Sequence, residues 1–360
     1  MAGKLEKDSI NVDNKSEINK NNNLLASIDI PDYDNGSIDN DSTKLTELQA
    51  EQNWRNKNIK KQVVCCYADA CPNLDAISDK HVTLPAIPNA NYCKNVKNGK
   101  VTLIVTNTCG FDSLCQILFI SLVNNEAYNN ALLETSSKFI SCAKVFVKEG
   151  LSAHFFRERA KILCNLNQLK PDIRQNSIIK VSAISNIANL TTWLLEDVPS
   201  FTEMNTCDTC NRVIIRRNVL YININYTIIR EKGMRFLQEA LNEGLNMHRI
   251  CCGKPQQSNI MYGPHLIMET EYGDQRSTML SEYPVELCVT CDNRYILSGV
   301  IAYEGSNDVA SVGHYIAYTK TGRKWLYYDD NSRKGKSGVV DEQTLVKGHV
   351  CIYTLSRNHN

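Results

Sequence analysis

A chain of 360 residues is long enough for one large domain or two smaller ones, and 42% hydrophobic residues supply a sizeable core. A net charge of +1 excludes a general electrostatic basis for binding nucleic acid or anionic membrane, and no run approaches the roughly 20 apolar residues of a membrane-spanning helix. The Lys-, Asp- and Asn-rich start lacks the apolar segment of an export signal, so the 15 cysteines point to reduced thiols in cytoplasm or nucleus, where CxxC pairs suggest metal before disulfide.

Residues 1–60 carry few large apolar side chains and are expected to be disordered or poorly ordered, with a short helix over Thr43 to Lys61. Residues 61–100 form a cysteine-containing lead-in in which Cys65, Cys66, Cys71 and Cys93 read as ordinary thiols. The β-branched run from Val101 to Val105 then predicts a strand. Next comes Thr106-Asn107-Thr108-Cys109, after which Phe111, Leu114, Ile117, Leu118, Leu122 and Val123 recur at helical spacing. With Thr108 as N-cap, the Cys109 sulfur sits over the unpaired N–H groups of a helix start, an environment that lowers a thiol pKa. Apolar stripes predict two further helices between Ala131 and Leu169 and another from Asn186 to Leu195, so residues 101–200 read as a mostly helical lobe.

Beyond residue 200 the pattern turns to period two. Strands are expected over Val213 to Ile215, Val219 to Ile224, His265 to Glu271 and Tyr283 to Val289, interrupted by one helix from Gly233 to Asn242. A meander follows: Tyr295 to Ala302, His314 to Thr319, Trp325 to Tyr328 and Val350 to Leu355. Helices first and antiparallel strands after define an α+β fold.

The last hairpin permits a geometric expectation. A turn centred on Thr321-Gly322 sets Lys320 opposite Arg323 and, counting outward, His314 opposite Asp329. Opposed residues share one face of the sheet. Asp329 is thus the group expected to orient the His314 ring, with Asp330 on the other face or off the strand, at most a helper. A cysteine at a helix start together with a distant His and Asp is the constellation of a thiol hydrolase. A second constellation joins Cys207-Asp208-Thr209-Cys210 to His248-Arg249-Ile250-Cys251, a CxxC with an HxxC of tetrahedral zinc type. Cys288 and Cys291 are a rival pair, read as packing thiols.

The segment Asn107-Thr108-Cys109-Gly110-Phe111-Asp112-Ser113-Leu114-Cys115-Gln116 resembles the cysteine box of the ubiquitin-specific proteases. Gly313-His314-Tyr315-Ile316-Ala317-Tyr318, with Trp325 and Tyr328-Asp329-Asp330 after it, is similar to that family's histidine box. The compact, cysteine-rich style also resembles ubiquitin-protease-like proteins of insect genomes linked to mobile elements. The resemblance implies a papain-like right hand over residues 101–356: a helical thumb (101–200), β fingers (201–275) and an antiparallel β palm (276–356). It implies Cys109 as nucleophile, His314 as general base and acid, and Asp329 as the orienting group. Gly313 would let backbone and substrate pass close to the histidine. In the fingers it implies a structural zinc on Cys207, Cys210 and one of Cys251 and Cys252, with His248 as the inferred fourth ligand, and it implies no catalytic cofactor. The expected activity is hydrolysis at the C-terminal glycine of ubiquitin by a monomer whose partners are ubiquitin or ubiquitin-like conjugates, with neither nucleic acid nor membrane involved.

Two positions depart from the family pattern. Ile104 stands where the family has the asparagine that helps bind the oxyanion, leaving the Cys109 N–H and Asn107 as substitute donors. Asp112 replaces an asparagine and brings a carboxylate near the sulfur, opposing thiolate formation. The alternatives are therefore a catalytically impaired module that binds ubiquitin or a ubiquitin-like protein, or a protease for another modifier such as SUMO.

Overall fold

A computed structural model describes residues 84–356, apart from 176, 208, 211–212, 246–248, 257, 271–275, 292, 306–312 and 332. The expectations for residues 1–60 and for all but the end of the lead-in lie outside the described residues.

The helical half is built around α1 (Cys109–Asn124), which is buried from Gly110 to Leu122. A helix with no polar face must be enclosed on every side. It is surrounded by α2 (Glu126–Ala131), α3 (Lys138–Glu149), α4 (Ala153–Asn165) and α5 (Ile187–Leu194), with the large sheet beneath. Phe119 is the centre of this packing, with its ring 5.6 Å from Phe139 and 5.5 Å from Phe146, while Phe146 lies 4.8 Å from Phe155. Side-chain caps set the helix starts: Asn125, Ser137, Ser152 and Asn186 each accept from a backbone N–H two or three residues into the helix that follows.

Strands enter this half as well. β1 (Val96–Asn98), β2 (Val101–Thr106), β3 (Pro171–Gln175) and β4 (Ile178–Ser182) form a sheet in the order β1-β2-β4-β3, with β2 and β4 parallel. Sequence reading assigned residues 171–182 to the helical lobe without a strand, because Ile178, Ile179 and Val181 make too short an apolar run to declare its period.

In the second half, β5 (Phe201–Thr206), β6 (Val213–Val219), β7 (Arg249–Cys251), β8 (Lys254–Gln256) and β9 (Ser258–Tyr262) make two small sheets, β6-β5-β9 and β7-β8. Where one helix was expected there are two, α6 (Tyr226–Lys232) and α7 (Leu237–Leu245), separated at Gly233, whose φ of 91° ends the first. Of the two strands expected over Val213 to Ile215 and Val219 to Ile224, the first extends to Val219 as β6 and the second does not form, Ile222 making a single bridge to Met268.

The rest is a seven-stranded antiparallel sheet. Its members are β10 (His265–Glu269), β12 (Glu286–Cys288), β13 (Arg294–Glu304), β14 (His314–Thr321), β15 (Lys324–Asp329), β16 (Lys336–Val340) and β18 (Gly348–Leu355), and β11 (Thr278–Met279) pairs separately with β17 (Leu345–Val346). The path is β10-β18-β13-β14-β15-β16, with β12 against the start of β13. Alternation along these strands serves two cores. Ile267, Ile301, Val350 and Ile352 face the helices, while Leu266, Met268, Val300, Cys351 and Tyr353 face a second core with Leu237, Leu241 and Trp325. Among the described residues no helix is long and apolar enough to cross a membrane.

Candidate active site

Cys109 is the first residue of α1, so its sulfur stands at the helix start. Thr108 occupies the cap position, but its side chain makes no cap hydrogen bond. Its hydroxyl accepts from the Ala90 N–H at 2.8 Å and donates to the Asp112 carboxylate. The expected cap is displaced because a segment from the lead-in lies against the helix end and takes the hydroxyl first.

The helix start is seated on β14. Ser113 Oγ donates to the Tyr315 carbonyl at 3.2 Å, and the backbone of Tyr315, the residue after His314, works to lower the pKa of the Cys109 thiol. A Cβ on Gly110 would come within 3.4 Å of the Tyr315 ring, a close approach that keeps the helix end tight on the strand.

The hairpin differs from expectation by two residues. Thr321 pairs with Lys324 and Ala317 with Tyr328, so the turn is Gly322-Arg323 rather than Thr321-Gly322. Gly322, with φ 59°, takes the first central position, where a II′ turn requires glycine. In this register Asp329 lies beyond the last paired rung. A shift of two preserves which face each side chain occupies, so His314 and Asp329 still meet, as diagonal neighbours. His314 Nε2 is 2.8 Å from Asp329 Oδ1, and Nδ1 is left for a thiol. Asp330 is off the strand, as one of the two expected placements has it, with its Oδ1 3.5 Å from the same His314 nitrogen and its side chain only 5% exposed.

The electrostatics run against the expected low thiol pKa. Burial pushes the Cys109 thiol up to about 11, with the carboxylates of Asp330 and Asp112 adding to the rise and the backbone groups of Tyr315 and Gly110 opposing it. Asp112 is wholly buried and paired with the equally buried Arg159 at 2.9 Å. Burial pushes the Asp330 carboxyl up to about 8, reinforced by the nearby Asp112 charge. Burial raises the Asp112 carboxyl as well, with the Arg159 guanidinium opposing that rise. Asp112 thus answers Arg159, a partner whose position 47 residues downstream gave no signal in the sequence.

Around this centre, Asn107 holds a left-handed backbone with φ 58°. Its amide donates to Ser182 Oγ at 3.0 Å and its side-chain oxygen accepts from Asn91 at 3.1 Å. Gly313 is packed against Tyr303: a Cβ there would be driven into the phenol ring. Sequence reading gave no role to the lead-in, yet Ala86, Ile87, Asn89 and Ala90 are buried, and Asn89, Ala90 and Asn91 all bond to residues of the site. Their only signal is a short apolar pair between Pro85 and Pro88.

In the β region the sulfurs of Cys207, Cys210 and Cys252 lie within 4.8 Å of one another. Thiolates around a tetrahedral zinc, each at about 2.3 Å from the metal, sit at comparable spacing, so the donor set fits zinc. The third thiol among the described residues is that of Cys252, one of the two expected. In the β7–β8 hairpin Cys251 closes the strand, while Cys252 (φ 51°) and Gly253 (φ 72°) make the turn, both left-handed as a I′ turn requires. The Cys251 side chain and the whole of His248 lie outside the described residues. Cys288 and Cys291 join no such cluster among the described residues.

A thiol at a helix start, with an imidazole and carboxylates at the mouth of the adjoining hairpin, has the components of a cysteine-peptidase site on an α+β scaffold. The chain belongs to the ubiquitin carboxyl-terminal hydrolase family, whose model matches residues 15–344. It is 27% identical over 348 residues to the 120.7 kDa protein in the NOF-FB transposable element of Drosophila melanogaster, an alignment covering 89% of this chain and 31% of that protein. The chain thus spans about a third of that relative's length. Solved structures similar to it include a chain of the SAGA DUB module of Ubp8, Sgf11, Sus1 and Sgf73 (14% identity, 90% of this chain and 77% of that one, TM-score 0.42). The PAN2 pseudoubiquitin-hydrolase of Saccharomyces cerevisiae is another (13% identity, 68% and 84%, TM-score 0.37). A third is the papain-like protease of MERS-CoV with human ubiquitin (13% identity, 74% and 71%, TM-score 0.37).

Proposed function

We propose that this chain is a thiol-dependent deubiquitinase that hydrolyses the isopeptide or peptide bond at the C-terminal glycine of ubiquitin. The observation that carries this reading is the junction of α1 with β14: Ser113, one turn after Cys109, bonds the backbone of the residue next to His314, while Asp329 holds the far nitrogen of the His314 ring. A thiol raised to about 11 is protonated at rest, so it needs a base at the moment of attack. His314 takes the Cys109 proton as the sulfur adds to the glycine carbonyl, and the Asp329 carboxylate stabilises the imidazolium. The ring returns that proton to the departing lysine amine, leaving a thioester. Water then gives a proton to His314 and attacks the thioester, and the thiol leaves with the proton restored. The Cys109 N–H, unpaired at the helix start, and the Asn107 amide are the donors proposed for the oxyanion.

Cys207, Cys210 and Cys252, with His248 as the fourth ligand, would hold one zinc that shapes the hairpin and takes no part in the chemistry. The proposed partners are ubiquitin conjugates in cytoplasm or nucleus.

Turnover of ubiquitin carrying a C-terminal fluorogenic amide tests the activity. Release of the fluorophore, abolished by His314→Ala, supports hydrolysis. A chain that binds ubiquitin without turning it over is the module of the second reading, which the carboxylates beside Cys109 favour. Cleavage of a SUMO substrate alone would reassign the modifier.

A further inference from the structure

Residues 85–93 cross the site as a strap and bond to both halves of it. On the hairpin side, Asn89 holds residue 330 twice: its backbone N–H donates to the Asp330 carbonyl at 3.0 Å, and its Nδ2 donates to Asp330 Oδ2 at 2.7 Å. On the helix side, the Ala90 N–H donates to Thr108 Oγ1 at 2.8 Å, one residue before Cys109. Arg159 clamps the strap from behind, with Nη1 donating to the Pro88 carbonyl and to Asp112 Oδ1, both at 2.9 Å, and Nη2 to the Cys93 sulfur at 3.2 Å. Asn89 is itself 6% exposed, so water is a poor substitute for it.

What Asn89 fixes is the direction of one carboxyl. With Oδ2 held by the strap, Asp330 Oδ1 has no hydrogen-bond donor of its own and faces His314 Nε2 at 3.5 Å. Without the Asn89 amide the carboxyl keeps its contact with Asp112 and the backbone bond from the Asn89 N–H, but loses the bond that fixes Oδ2. The loss of that buried donor favours rotation of the carboxyl about its last bond.

We propose that Asn89 is a positioning residue of the active site, acting through Asp330 to set the His314 ring toward Cys109. The strap is therefore part of the catalytic apparatus, although it lies outside both the cysteine and the histidine segments. The inference rests on the assignment of Cys109 and His314 as the reacting pair, but not on ubiquitin as substrate.

The test is alkylation of Cys109 by chloroacetamide in the full chain, followed by mass spectrometry of the Cys109 peptide, which requires no ubiquitin. A displaced imidazole accepts the thiol proton poorly, and misplacement of about 1 Å costs up to about 10²-fold. Asn89→Ala is expected to slow alkylation at pH 8 by about 10-fold or more, and Asp330→Ala by a similar factor, the lost setting of the ring outweighing relief of the Asp330 charge on the thiol. In the Asp330→Ala background, Asn89→Ala is expected to cost less than about 2-fold further, because residues acting through one contact are not additive. Thermal melting of each variant establishes that the chain is folded. Multiplying losses in the double variant, or an Asn89→Ala chain alkylated at the parental rate, would overturn the proposal. Failure of ubiquitin turnover with this alkylation pattern intact would overturn the substrate assignment alone.

Discussion

Asp329 meets His314 from one rung away: its paired position on β14 is beyond the end of the ladder, yet its Oδ1 lies 2.8 Å from His314 Nε2. The diagonal approach leaves room for a second carboxyl at the same nitrogen, and Asp330 occupies it at 3.5 Å. Two acids behind one ring make the loss of either less severe than the loss of the ring. Asp329→Ala is expected to lower kcat for a ubiquitin amide by about 10²-fold or more, and His314→Ala by a larger factor, general-base catalysis being worth about 10²–10⁴. Steady-state kinetics of the two variants decides it; equal losses would show that Asp330 contributes nothing.

The ion pair of Arg159 and Asp112 has side chains 3% and 1% exposed. Removing one partner of such a pair strands a buried charge. Arg159→Met is expected to destabilise the fold by about 3–5 kcal/mol, and Arg159→Met with Asp112→Asn to recover a large part of that loss. Urea denaturation of the single and double variants measures the difference. An undiminished midpoint in Arg159→Met would contradict the burial of the pair.

Two buried groups give opposite pH dependences. Asp330 is raised from 3.8 to about 8, so the folded chain binds its proton more tightly than the unfolded chain. Its contribution to stability is complete below about pH 4 and is lost as pH rises through about 8. His265, buried beside Tyr128, is lowered by burial from 6.5 to about 4. Its contribution is present above about 6.5 and is lost as pH falls through about 4. Between about pH 4 and 6.5 the two slopes oppose each other, so melting temperatures are expected to change little there and to fall from about 6.5 to 8. Asp330→Asn should abolish that fall and expose a loss below about 6.5, and His265→Gln should extend the fall down to about pH 4; a profile unchanged in these variants would assign it to other groups.

The helical core and the palm strands were legible because their signals are local. Apolar residues from Phe111 to Val123 repeat at helix period, and β14 and β15 alternate around a glycine turn. Even the one-residue error in that turn left the His–Asp meeting intact, since it shifts the register by two and parity survives an even shift. What escaped depends on long-range partners. Nothing near Asp112 announces Arg159, and Asn89 finds Asp330 across 241 positions. The thiol pKa was misjudged for the same reason: the helix start and the Asp112 carboxylate are visible in sequence, whereas burial and the approach of Asp330 are not.

The cysteine cluster predicts a stoichiometry. Purified chain is expected to carry one zinc, lost in Cys210→Ser and in Cys252→Ser, as read by metal analysis alongside melting temperature. Retention of metal in the Cys252→Ser chain would show that the thiol at the turn is not a ligand and would return Cys251 to that position.

The assignment of the nucleophile is tested most directly with ubiquitin bearing a C-terminal electrophile. The account predicts a single covalent adduct with the full chain, located at Cys109 by peptide mass spectrometry and absent from Cys109→Ala. Undiminished labelling of Cys109→Ala, or an adduct at any other of the fifteen cysteines, would contradict it.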